Sequence, residues 1–371
     1  MKILYLTDQT HTHGGIEKVL SQKANYFADL AGDEVIIATY NQRKLPSCYR
    51  FSEKITFIHL EINYRAGKSF WHFENLLKII HHRAKLNGII KEIRPDVVVS
   101  SSFGVDRFFI PFLERNIPKI KEYHFTKHFL SQQKSVKKFF LDKINNFIDQ
   151  SYHQVVILNE DERKFYHTNN ITIIPNPAEL DAPQAPLTKK NIIAAGRIIY
   201  QKNFEHLIEV GFKISREFPD WQIHIYGDDY LGRKDILQNK IDQLSLRNTV
   251  IFKGTSADLK KTFLDYSIYA LTSNYETFPM VLLEALSVGL PVVAYDCPTG
   301  PSRILKNNED SYLIPYKNIN IFVDKISILM ADEKLRKEMG NKAVRNVQRF
   351  AIEKVMGQWK NLFNELKIKN A

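Results

Sequence analysis

The feature that most constrains this chain is a pattern that occurs twice. Short apolar runs alternate with amphipathic helical stretches, first from "KILYLT" at residues 2–7 to "QVVILN" at 154–159, then from "NIIAAG" at 191–196 to "PVVAYD" at 291–296. Such alternation specifies parallel strands joined by crossover helices. Between the two series lies "IIPNPAELDAPQAPLTKKN", whose Pro175, Pro177, Pro183 and Pro186 read as a linker. A chain of 371 residues is also too long for one comfortable core. The expectation is therefore an α/β protein with two Rossmann-like, doubly wound parallel-sheet domains, 1–178 and 179–349. A terminal helical segment, 350–371, is expected to pack back on the first domain. Ligands of such sheets bind outside the carboxyl ends of the strands, so the residues that follow each strand carry the functional reading.

In the second half, "NIIAAGR" ends at Arg197, and Lys202 follows just before the helical stretch "FEHLIEVGFKI". Two cations beside a helix N-terminus suit a diphosphate, because the free N–H groups and the helix dipole favour anions as well. By itself, such a pair in a loop is usually just solvated. In "YALTSNYE", Glu276 falls in a loop beyond a strand, and Pro279 is expected in the first turn of the next helix, "MVLLEALSV". Glu284 lies in that helix's second turn, flanked by Leu282, Leu283, Ala285 and Leu286, which leave no room for a solvent stripe. A carboxylate in those surroundings requires a bound partner. A ribose diol, donating two hydrogen bonds to one carboxylate, would serve.

The net charge of +11 is concentrated: between Arg65 and Lys143 there are sixteen Lys/Arg against seven Asp/Glu. Phe70, Trp71, Phe73, Phe139 and Phe140 are mixed among those lysines, and Phe147 follows shortly after. Within "KSFWHFENLLKIIHHRAKLNGIIKEI", Phe73, Leu76, Leu77 and Ile80 oppose a polar face of Lys78, His81, His82 and Lys85. Basic, aromatic and amphipathic character together point to a helix on an anionic membrane surface, region 65–143 being the contact. A core-packing helix with a solvated basic face fits the same pattern. No helix-turn-helix, zinc-finger or RNP pattern occurs, so nucleic acid is not an expected partner. Cys48 and Cys297, the two cysteines, provide neither a disulfide framework nor a thiolate metal cluster. The expected location is cytoplasmic, peripheral on the inner face of the membrane.

The segment "SNYETFPMVLLEALSVGLPVVAYDCPTGPS" resembles the E-x7-E segment of the GT-B glycosyltransferases of family 4, retaining enzymes that use sugar nucleotides. "AAGRIIYQKNFEHLIE" is similar to that family's G-R-(x4)-K segment, and "IYGDDYLGRKDILQNKIDQLSLRNTVIFKG" to its nucleotide-side strand, helix and strand. "GGIEKVL" looks like its first glycine loop and "IIPNP" like its interdomain hinge. The resemblance implies transfer of a hexose or N-acetylhexosamine from a nucleotide diphosphate, with UDP expected, to a hydroxyl of a lipid-linked or growing glycan, as in capsule, lipopolysaccharide O-antigen or exopolysaccharide synthesis. It further implies that Glu276 meets the donor sugar's hydroxyls and Glu284 the ribose, while Arg197 and Lys202 hold the diphosphate. The backbone N–H groups of Met280 and Val281 would donate to the same phosphates, Gly14 and Gly15 would admit the donor to the first domain, and His124 would stand near the reacting sugar carbon. No D-x-D occurs in the chain, in keeping with metal-free GT-B chemistry, so neither metal nor cofactor is expected. Thr277, Arg303 and Ser311 depart from the family's habit and put the donor sugar in doubt more than the reaction class. A UDP-sugar 2-epimerase of similar fold and a non-catalytic scaffold are the alternatives.

Overall fold

The computed structural model describes all residues except 66, 69–71, 129–135, 230 and 370–371, and the backbone alone of 136–139. Phe70 and Trp71 therefore lie outside the described residues, as does the Phe139 side chain. The chain divides into two compact units, Met1–Pro177 with Val355–Ala371, and Ala178–Lys354.

The first unit is built on seven parallel strands: β1 (Lys2–Thr7), β2 (Glu34–Thr39), β3 (Thr56–His59), β4 (Val97–Ser100), β5 (Lys119–Glu122), β6 (Gln154–Ile157) and β7 (Ile171–Ile173). Their order is β3-β2-β1-β4-β5-β6-β7, so the winding reverses between β1 and β4. Most central strands are apolar, as burial on both faces demands. β5 is the exception: Lys119 and Lys121 are fully buried within it. The Lys119 ammonium donates to the Ile117 carbonyl at 2.8 Å, and Lys121 to that of Ser100 at 3.2 Å. These two cations satisfy backbone oxygens inside the fold, so they do not belong to the basic surface expected over 65–143.

The helix Phe73–Ile93 departs from the core-packing reading. Its inward side carries Asn75, His82, Leu86 and Ile90, while Phe73, Leu77 and Ile80 are about 70 % exposed. His82, expected on the solvated face, is instead buried with its Nδ1 3.1 Å from the Tyr64 hydroxyl. Asn75 accepts from the backbone N–H of Arg65 at 3.0 Å. Polar groups can face inward here because each finds a bond, and the apolar row is thereby turned outward. The terminal helix Ile352–Lys369 belongs to this unit over most of its length. Phe363 packs on Phe27 with ring centroids 5.4 Å apart, and Lys367 pairs with Asp96 at 2.8 Å.

The second unit has six parallel strands: β8 (Asn191–Ala195), β9 (Gln222–Tyr226), β10 (Val250–Gly254), β11 (Ile268–Leu271), β12 (Val292–Asp296) and β13 (Ser311–Pro315). Their order is β10-β9-β8-β11-β12-β13, and here the winding reverses between β8 and β11. A reversal of this kind opens a crevice at the carboxyl ends of the two strands. Pro279 is the N-cap of the helix Met280–Ser287 rather than a residue of its first turn. Strands β7 and β13 are additions to the sequence reading.

Candidate active site

In the second unit, the residues singled out from the sequence gather at that crevice. Arg197 follows β8 by one glycine, is exposed, and forms no ion pair among the described residues. Lys202 ends the short 3-10 turn Tyr200–Lys202, just before the helix Phe204–Ile214. Glu276 lies in the loop beyond β11 and is 5 % exposed. Its Oε1 accepts from Lys202 Nζ at 2.6 Å and from Ser273 Oγ at 2.7 Å.

The two loops are held together along their length. Asn274 donates its backbone N–H to Gln201 O at 2.7 Å and its amide to Tyr200 O at 2.8 Å, while Gln201 returns an amide bond to Tyr275 O at 3.0 Å. Asn203 donates to Thr272 O at 3.1 Å, and the Thr272 hydroxyl reaches the carbonyls of Lys202 and Asn203. A charged pair is thus placed by backbone geometry rather than by the reach of two flexible side chains. Glycines let the loops approach. A Cβ at Gly227 would stand 1.9 Å from the Gly196 carbonyl oxygen, and Gly300, at φ +91°, passes under Thr277 where a Cβ would lie 2.7 Å from its oxygen.

Glu284 is buried within the helix Met280–Ser287. The Tyr269 phenol bonds Ala195 O at 3.2 Å. Burial pushes its pKa far up, and the charges of Glu276 and Glu284 push in the same direction. Met280 and Val281 are the first two helical residues, and the capping proline has no side-chain acceptor for their N–H groups. Burial, then the Glu276 charge, drives the Cys297 thiol pKa upward, which keeps this cysteine a neutral packing group. Of the departures from the family pattern, Arg303 is exposed on the short helix Pro301–Ile304, and Thr277 is buried beside Gly300. Ser311 opens β13 with its hydroxyl on Lys306 O at 3.2 Å, a local bond of the strand entry.

In the first unit, Gly14 and Gly15 stand where the loop after β1 enters the helix Gly15–Asn25. Gly14 leaves space for Glu17 to turn back and accept from Gln9 at 2.5 Å and Thr12 at 3.0 Å; a Cβ there would meet Glu17 Oε2 at 2.2 Å. His124 follows β5, with its side chain only 5 % exposed and its Nε2 3.3 Å from Glu122 Oε1. The same oxygen accepts from Lys23 Nζ at 2.7 Å. Burial alone would raise the Glu122 pKa, but Lys23 and His124 outweigh it and hold the carboxyl at about 2. Ser273, Tyr269, Glu122 and Lys23 are missing from the sequence reading. For Glu122 a signal existed, since a strand written Lys-Ile-Lys-Glu in the middle of an apolar series must bury charges. For Lys23, on a helix of mixed residues, none did.

Among the described residues, no cluster of three or more His, Cys, Asp or Glu is arranged to hold a metal ion. No helix among them is long and apolar enough to cross a membrane.

Comparison with known proteins agrees with this architecture. The family model described as glycosyl transferases group 1 matches residues 176–346, and that of glycosyltransferase family 4 matches residues 13–182. The amylovoran biosynthesis glycosyltransferase AmsD of Erwinia amylovora is 25% identical over 98% of this chain and 99% of its own. An exopolysaccharide phosphotransferase of Streptomyces coelicolor is 36% identical over 53% of this chain, a match that spans only 21% of that larger protein. Among solved structures, an S. aureus TarM mutant in complex with fondaparinux, α-GlcNAc-glycerol and UDP superposes with a TM-score of 0.77, covering 98% of this chain and all of that one at 19% identity. With two glycosyltransferase models running from residue 13 to residue 346 and a two-sheet parallel fold to match, the chain belongs to the GT-B glycosyltransferases of family 4.

Proposed function

We propose that this glycosyltransferase moves a hexose or N-acetylhexosamine from a UDP-sugar to a hydroxyl of a lipid-linked or growing glycan, with retention and without a metal ion, in cell-surface polysaccharide synthesis. The observation that carries the reading is the Lys202–Glu276 pair, set at the β8/β11 reversal with exposed Arg197 and buried Glu284 on neighbouring elements. Arg197, Lys202 and the N–H groups of Met280 and Val281 supply positive charge to a diphosphate. As the glycosidic C–O bond breaks, the bonding pair leaves with the diphosphate, and these donors stabilise the charge that builds there. The two cations then do what a divalent metal does in other transferases. Glu276 keeps Oε2 for a sugar hydroxyl, and Glu284 takes the ribose diol. The acceptor oxygen forms the new bond to the anomeric carbon as its proton passes to the departing diphosphate, and His124 and Gly14–Gly15 keep the roles that the family resemblance implies for them. The UDP in the similar TarM structure and the polysaccharide assignment of AmsD support donor and pathway class.

The acceptor is placed at the cytoplasmic face of an anionic membrane. What supports this is the outward apolar row of Phe73, Leu77 and Ile80, repeated on the helix Val136–Ser151 by Phe140, Ile144 and Phe147, with Arg83 and Lys143 exposed on the same helices. The deciding experiment is calorimetry across UDP-, GDP- and ADP-sugars on the wild type and on Arg197→Ala and Glu284→Ala. Full affinity and turnover in both variants would place the donor elsewhere.

A further inference from the structure

The buried charges beneath His124 have no part in the chemistry above, and they form a connected chain. Glu122, 3 % exposed, presents one oxygen to both Lys23 and His124. Lys23, 1 % exposed, is covered on its far side by Trp359, whose ring centroid lies 3.5 Å from Nζ. The helix behind the glycine loop and the end of β5 thus meet at one carboxylate, and the terminal helix covers the lysine. A buried ion pair is costly to assemble and contributes little to net stability, so its presence beside His124 calls for another reason.

We propose that Glu122 is the positioning residue for His124, fixing its ring as the Nε2–H tautomer and leaving the Nδ1 lone pair to accept a hydrogen bond from a sugar hydroxyl. The argument is one of donors and acceptors. An ionised carboxylate has no proton to give, so the nitrogen that faces it must carry one. Lys23 keeps that carboxylate ionised and holds its oxygen in place, while Trp359 closes the pocket around the ammonium by a cation–π contact. With Nε2 committed, a ring that carries a single proton has one acceptor left, and it is Nδ1. The inference rests on the reading of His124 as a group beside the reacting sugar, and its test separates the two ideas.

The experiment is nitrogen NMR of the full chain with 15N-labelled histidine, the His124 signals being assigned from their loss in His124→Asn. The wild type is expected to show a single protonated Nε2 and an unprotonated Nδ1. In Glu122→Gln the two tautomers should mix, and kcat should fall about tenfold with the donor KM little changed, the usual scale for losing a histidine's orienting partner. Because that variant strands the Lys23 ammonium, Glu122→Gln with Lys23→Met is measured beside it. The double variant should regain melting temperature and keep the mixed tautomers. A His124 tautomer unchanged in both variants would overturn the proposal, whatever the activity. Mixed tautomers with wild-type turnover would leave Glu122's hold on the ring standing and overturn the reading of His124 as a group in the reaction.

Discussion

Lys202 and Glu276 stand 74 residues apart in sequence and 2.6 Å apart in the folded chain. Each follows one of the two strands where the second sheet reverses its winding, so a feature of topology has become an ion pair. Both side chains are largely buried, at 15% and 6% exposure, and neither can lose the other without leaving a desolvated charge.

That coupling separates stability from catalysis. Lys202→Met should lower kcat by about 10²–10³, the usual loss when a fixed donor to developing charge is removed, and should also lower the melting temperature. Adding Glu276→Gln should restore much of the melting temperature and none of the turnover. Thermal denaturation and steady-state kinetics on the three proteins check this.

Glu284→Gln should weaken UDP binding by about 1.5–3 kcal/mol, the range for a hydrogen bond to a charged group. The loss should be specific to the ribose. Calorimetry with UDP and its 2′-deoxy analogue should find that the wild type distinguishes the two and the variant nearly does not.

The Glu122 carboxyl has a folded pKa of about 2 against an ordinary 4.5, because the attraction of Lys23 and His124 exceeds the cost of burial. A depressed carboxyl pKa stabilises the fold above the unfolded value and stops doing so as pH falls through the folded one. The melting-temperature difference between the wild type and Glu122→Gln should therefore be full above pH 4.5 and narrow steadily as pH falls towards 2. Melts taken across that interval read the effect directly.

Gly227→Ala would drive a methyl group into the Gly196 carbonyl, and backbone cannot swing aside as a side chain can. The expected cost is about 1–3 kcal/mol of stability, as for overpacking generally. Donor affinity should fall as well, because the displaced strand end carries Arg197. Denaturant unfolding and donor calorimetry measure the two losses.

For the membrane contact, Leu77→Asp and Phe147→Asp should abolish flotation with anionic vesicles while leaving the melting temperature unchanged, since both side chains are exposed. Wild-type flotation should weaken at high salt. Binding indifferent to both changes would remove the membrane from the proposal.

The doubly wound architecture was legible because parallel strands buried on both faces read as apolar runs. The reversal at β8/β11 was visible only as cations after one run and a carboxylate after another. Two strands escaped notice for physical reasons. β7 is a three-residue edge strand, too short for a pattern, and β13 follows "KNNED", which reads as turn and solvent. The glutamate pair was recognised because apolar neighbours left Glu284 no exit to water. The lysines of β5 misled, since Lys119 and Lys121 count as surface charge in any tally of composition, although backbone oxygens hold them inside. His82 misled for the converse reason: it finds a partner inside, and hydropathy alone carries no record of it.

The position of Trp359 has a consequence for how the protein is made. A ribosome releases β1, the glycine loop and Lys23 first, and the ring that covers Lys23 only with the terminal helix. Synthesis proceeds at about 5–20 residues per second, so the first unit spends much of its translation with that ammonium and its carboxylate open to water. The sheet can form early, but the surroundings of His124 are completed last, after the second unit has emerged. The cover over Lys23 therefore arrives only with the helix that also completes the first unit.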